Sequence, residues 1–281
     1  MKKILLLIAA MGLIMGTISC SDDEPGKRAD GVFTVNTPMI NHIVNLNNGE
    51  VMGMSNTHNK LTLDTVKHTA SLELRYLDGN SEKTLKLDNL KAVAKRLRFY
   101  ELTSSSDATF SGYVDFNEGS IRYCYTTPEG LRIISTISDV FFLKTKNTIS
   151  YLDTTKTTVM ENTMYQFSLQ PANNSAIVKV MAIVHAKDMR FFNSMTATSV
   201  PVIVTRNGYT FTGQNIPTTT VFRNWTDSVG VPTVKSTDKY PFKIFNAVVD
   251  LENDSIIANF MMGDSAIVEA TGRTYPDYTA Y

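Results

Sequence analysis

The side chains able to do chemistry in this chain are few, and their spacing narrows what that chemistry is. Four histidines, His42, His58, His68 and His185, stand far apart. None enters a His-Glu-x-x-His motif or a paired zinc spacing, and there is no Cys-x-x-Cys, so nothing points to a metal centre. Cys124 sits between Tyr123 and Tyr125. On a strand it points with Ser120 and Arg122, away from both rings. Arg122 would lower the thiol's pKa, but no histidine lies close in sequence to serve as a base. A small buried or half-buried residue is the expectation. No Gly-x-Ser-x-Gly elbow and no Walker loop occur. Asp115 and Asp250 each precede a turn and read as hairpin-stabilising groups. The run Asp250, Glu252, Asp254 lacks the glycine and distal glutamate of a calcium loop. A non-catalytic protein without cofactor or metal is expected.

One cluster suits recognition better than reaction. Phe222-Arg223-Asn224-Trp225-Thr226-Asp227 holds the single tryptophan of the chain. An indole beside Arg and Asn suits stacking on a sugar ring or contact with a protein partner; equally, it pins its own loop to a sheet. Phe222, Arg223 and Trp225 are the candidate ligand-binding residues.

The elements that must position these groups are duplicated. Residues 43–76 recur as 149–182 at an offset of 106 with no gap, Leu63 meeting Leu169, and Ala70, Leu72 and Leu74 meeting Ala176, Val178 and Val180. Residues 110–125 recur as 245–260 at an offset of 135, so the second copy holds 29 more residues between the shared segments. These are expected in 187–200 and 217–240. The latter, rich in Thr, Pro, Asn and Gly, reads as a long loop or lid. Short alternating strands and polar turns predict an all-β fold of two tandem duplicated units, 31–137 and 138–281, each sandwich-like or barrel-like. Leu90, Val93, Ala94 and Leu97 follow a helical spacing, predicting a short helix over 89–98, with a strand pair as the other reading.

Composition sets outer bounds. A hydrophobic fraction of 43% suits a globular protein, and 27 basic residues balance 27 acidic ones. Without Lys2 and Lys3 the basic count falls to 25, leaving no positive excess for nucleic acid. Residues 1–19 read as a signal peptide: Lys2 and Lys3, then an apolar run over 4–15 too short for a convincing spanning helix. Residues 20–30 read as a tether.

Thr17-Ile18-Ser19-Cys20 resembles a bacterial lipobox, which implies that Cys20 is lipidated and that the membrane is reached through that lipid. Ser21-Asp22-Asp23-Glu24 resembles the surface-export signal of Bacteroidetes lipoproteins, implying an outer-membrane anchor facing the cell exterior. With Cys20 acylated, Cys124 is the only thiol left and no intrachain disulfide forms. Residues 176–262, through SAIVKVMAIV, NGYTFTGQNIP and YPFKIFNAVVDL, resemble the calycin-like (lipocalin-like) lipoproteins of Bacteroidetes. The lipocalin Gly-x-Trp is replaced by Arg-Asn-Trp at Trp225, so barrel and sandwich both stay open. The Asp-Ser/Thr-x tripeptides at Asp64, Asp153, Asp227, Asp254 and Asp264 resemble the O-glycosylation sequon of the same group. The resemblance implies a cell-surface protein that binds a glycan or small amphiphile. A fimbrial or adhesive component assembled through its sheet edges is the other class.

Overall fold

The alternation of apolar and polar side chains is realised as eighteen strands in a computed structural model. It describes residues 31–107, 109–116, 120–137, 141–151, 157–186, 189–224, 233–237, 241–262, 264 and 266–273. Residues 1–30, with Cys20 and Ser21–Glu24, lie outside the described residues, as does Trp225.

The first eight strands are β1 (Val32–Asn45), β2 (Val51–Asp64), β3 (Thr69–Asp78), β4 (Ser81–Arg96), β5 (Phe99–Thr103), β6 (Ser111–Asp115), β7 (Ser120–Thr126) and β8 (Leu131–Ile137). Each pairs antiparallel with the next, and β8 returns to β1 from Met39↔Ile137 to Asn45↔Leu131, closing a barrel. The fold is therefore all-β and built from barrels. Its interior holds Leu61, Leu63, Leu72, Leu74, Leu102, Tyr123, Tyr125 and Ile133.

The second set is β9 (Phe141–Tyr151), β10 (Thr157–Gln170), β11 (Ser175–Ala186), β12 (Met189–Thr205), β13 (Gly208–Ile216), β14 (Thr218–Asn224), β15 (Thr233–Thr237), β16 (Phe242–Asp250), β17 (Ser255–Met262) and β18 (Ala266–Arg273). Omitting β14 and β15, they repeat the meander of the first barrel, and β18 returns to β9. The equivalent positions hold at the core: Leu63 and Leu169, Leu72 and Val178, Leu74 and Val180 are all buried.

The described part of the second copy's extra length, Thr218–Asn224 and Thr233–Thr237, is a strand pair, not a loop or lid. Pairing runs from Ile216↔Phe242 in β13–β16 to Thr220↔Thr237 in β14–β15, nearly without a break in register. These four strands make one long hairpin, whose shorter equivalent is β5–β6. Gly208 lies 109 positions after Phe99 and Asp250 lies 135 after Asp115, so nearly all of the insertion is in this hairpin. Of 187–200, the described residues 189–200 all belong to β12. The Thr- and Val-rich run Thr218–Phe222 suits a pleated, half-buried surface, which is why it forms strand.

The helix over 89–98 is also replaced by strand. Asn89 and Arg98 both have positive φ, 58° and 60°, which no continuous helix accepts. Between them β4 pairs with β5 from Lys91↔Thr103 to Arg96↔Phe99, burying Leu90 and Ala92. A ten-residue helix is marginal alone, so neighbouring strands win the backbone.

Candidate functional site at the junction of the two barrels

The wall of the first barrel faces one end of the second. β1 is buried on both sides there: Met39, Asn41 and Ile43 point inward, while Ile40 and His42 point outward toward the second barrel. Ile40 and Ile134 belong to the same apolar cluster as Tyr209, Val249, Leu251 and Ile256. Polar groups bracket this contact.

On β7 and β8, alternation sends Arg122, Cys124, Arg132 and Ile134 outward. Arg122 donates to the Leu251 carbonyl at 2.5 Å and pairs with the Asp254 carboxylate. Arg132, only 8% exposed, donates to the Arg206 carbonyl at 2.7 Å and meets Glu252 at 3.1 Å. Both guanidiniums thus grip turns of the second barrel, and their fork of donors fits a carbonyl and a carboxylate together. The turns are held ready for them. Asp250 accepts the backbone N–H groups of Glu252 and Asn253, the hairpin role expected of it. Burial raises its pKa, but these bonds and that of the Asn253 amide outweigh it and hold the carboxyl below its ordinary value. Gly208 is required beside it, since a Cβ would stand 2.2 Å from the Val249 carbonyl oxygen. Asp115 differs from its counterpart: its buried carboxylate receives Arg96 at 2.5 Å, bracing β4 against β6.

His42 is the residue that sequence reasoning missed. Fully buried, it sits within 2.7 Å of the Thr205 carbonyl through Nε2 and meets the Tyr209 ring edge-on at 5.4 Å. A carbonyl only accepts, so Nε2 carries the proton. Nδ1 has no hydrogen-bond partner. Burial lowers the pKa, the Thr205 bond opposes that, and nearby Arg132 lowers it further. His58 and His68 are exposed.

Beside the contact opens a cleft of about 300 Å³ lined by Glu101, Ser111, Tyr113, Arg122, Cys124 and Glu252, among others. Cys124 is half-buried, and burial pushes its pKa up against the pull of Arg122 and Arg132. A raised thiol pKa is the opposite of what nucleophilic catalysis requires. The cleft therefore offers hydroxyls, carboxylates and arginines for binding, with no activated nucleophile among the described residues.

The other candidates lie elsewhere. Phe222 and Arg223 pair through their backbones with Asn193 and Phe192 of β12. That is roughly 40 Å along the strand from Thr205 at about 3.3 Å per residue, so the structure does not bring them to the junction. Of the Asp-Ser/Thr-x tripeptides, Asp64-Thr65-Val66 has its Thr65 hydroxyl buried and bonded to Gly31, closed to modification. Together the fold and this junction define a tandem β-barrel protein with an inter-barrel cleft. Compared with family models, curated proteins and solved structures, the chain finds no match.

Proposed function

We propose that the chain is a non-catalytic, lipid-anchored surface protein that holds a small polar extracellular ligand in the cleft between its barrels. Cys20 would carry the lipid, and the 20–30 tether would set the barrels off the outer membrane. The observation that carries the reading is where open space meets polar groups. Inside the second barrel a chain of rings, Tyr209, Phe211, Phe167, Tyr165, Phe260 and Phe242, runs with neighbouring centroids 4.5–6.4 Å apart. In the cleft, by contrast, Ser111 and Glu252 are exposed, and Glu101 and Arg122 share its wall. Hydroxyls and carboxylates on a concave surface suit the hydroxyl groups of a glycan better than an amphiphile's chain. Closure of both rings weighs against the fimbrial reading, because it removes most sheet edges.

The test is thermal stability against a panel of oligosaccharides and lipids. A ligand at one hundred times its Kd should add about 2.7 kcal/mol. Ser111→Trp, which fills the cleft from an exposed position, should remove that gain. A panel in which no glycan moves the melting temperature sinks the proposal.

A further inference from the structure

The first barrel leaves a length of backbone without a neighbouring strand. β3 pairs with β2 only from Asp64↔Thr69 to Lys60↔Glu73, and β4 meets β5 only from Lys91 onward. Between them, Leu74–Asn89 form a hairpin whose two strands pair only with each other among the described residues. The two free edges are treated differently. The β3 edge is satisfied by side chains: Asn59 accepts the Arg75 N–H at 2.7 Å, while Asn41 and Thr57 donate to the Arg75 carbonyl at 3.2 and 2.5 Å. Among the described residues the β4 edge has no such cover, and Ser81, Glu82, Lys83, Thr84, Lys86 and Asp88 are exposed along it.

The second barrel shows what this edge accepts. The same bulge, at Ala70/Leu72 and at Ala176/Val178, sets Leu87 opposite Leu72 and Ala197 opposite Val178, so Leu87 corresponds to Ala197, an offset of 110. The stretch of β12 equivalent to Ser81–Leu87 is therefore Phe191–Ala197, and β14 covers all of it as an antiparallel strand. The first barrel has no β14. Its open edge has the same backbone geometry, with alternate N–H and C=O groups pointing outward.

We infer that this edge pairs with the same edge of a second copy, β4 against β4, antiparallel about a two-fold axis through Thr84. Charge selects both the partner and the register. A two-fold normal to the sheet places residues of one face opposite each other. With Thr84 opposite Thr84, Glu82 of each copy stands opposite Lys86 of the other, twice over. Each Lys86 then lies between the Glu73 of its own β3, its cross-strand neighbour, and the Glu82 of the second copy. On the other face Lys83 stands opposite half-buried Leu85, and Ser81 opposite half-buried Leu87, so the Leu85 side chains of the two copies are diagonal neighbours. Moving the axis to Leu85 puts Glu82 against Asp88, and moving it to Lys86 puts that lysine against itself. Opposite charges across strands favour a pair and like charges oppose it; an axis at Leu87 would also set Lys86 against Asp88, but over only 85–89 of the free edge, so the longer Thr84 register is favoured. A foreign extended peptide would gain the backbone bonds but not this reciprocal match. The inference stands apart from the ligand cleft.

Sedimentation velocity of a soluble Cys20→Ser/Cys124→Ser chain tests it. The expected result is a concentration-dependent dimer that Lys86→Glu weakens at least tenfold and that Glu82→Lys/Lys86→Glu restores. Under mild oxidation Thr84→Cys should form a covalent dimer and Glu82→Cys should not. A chain that stays monomeric at every concentration, a dimer indifferent to Lys86→Glu, or a double reversal that fails to restore it overturns the proposal.

Discussion

The two barrels share a strand order but not a way of finishing their third and fourth strands. In the second, β11 stays paired with β10 as far as Met164↔Met181, and β14 lies along the other side of the hairpin on β12. In the first, the equivalent hairpin leaves both neighbours early. Its β3 side is stitched by amide and hydroxyl groups, and its β4 side carries exposed charges. The difference follows from the length of one hairpin: 99–115 is too short to reach where 208–250 does. Backbone groups deprived of a strand must find side chains, water or another molecule.

If ring packing carries the second barrel, truncating one ring should have the largest effect. Phe211 has no exposed surface and stands 4.5 Å from Phe167 by ring centroids. Phe211→Ala should cost about 3–5 kcal/mol, transfer and cavity effects together. Chemical denaturation measures it. A loss under about 1 kcal/mol at so central a position would mean that the rings are not closely packed.

Next in size is a substitution made at two equivalent sites. Thr57 and Thr163, 106 positions apart, are both buried. Thr57 takes an N–H from Asn41 at 2.7 Å and donates to Arg75 across the seam. Thr57→Val removes both bonds, leaving the Asn41 amide and the Arg75 carbonyl only their 3.2 Å bond to each other, and should cost about 1–3 kcal/mol. Thr163→Val should cost less, because backbone pairing of β10 with β11 continues past the matching point. Equal losses at the two sites would erase the distinction between a stitched seam and a paired one.

The duplication was legible because inward positions such as Leu63, Ala70, Leu72 and Leu74 repeat with their alternation intact. Local pattern failed where a distant strand decided the outcome. The spacing of Leu90, Val93, Ala94 and Leu97 fits a helix, but β3 and β5 supply the backbone partners. The run from Thr218 lacks apolar periodicity because its inward positions include Thr218 and Thr220, which are buried as fully as many aliphatics. The junction was illegible for another reason: Arg122 and Arg132 find partners more than 70 residues away. A signal did exist in Leu131–Ile137. An arginine within Leu-Arg-Ile-Ile, in a strand buried on both faces, needs an acceptor outside its own barrel.

His42 belongs to one barrel and bonds to the other, so its titration reads the junction directly. Folded, it is neutral with a lowered pKa; unfolded, it takes a proton near 6.5. Below that value the unfolded chain binds more protons, so the stability His42 contributes falls as pH falls. The slope approaches about 1.4 kcal/mol per pH unit and levels off once the folded pKa is passed. His42→Gln keeps an N–H for the Thr205 carbonyl but cannot titrate. It should be less stable than the parent at pH 7.5, with the gap closing toward pH 5.5. Taking the difference between the two proteins cancels every other group that titrates alike in both. Melting curves across that range decide the matter. A gap that holds constant would show that His42 takes its proton as readily between the barrels as in water, and the dry, closed contact drawn here would be wrong.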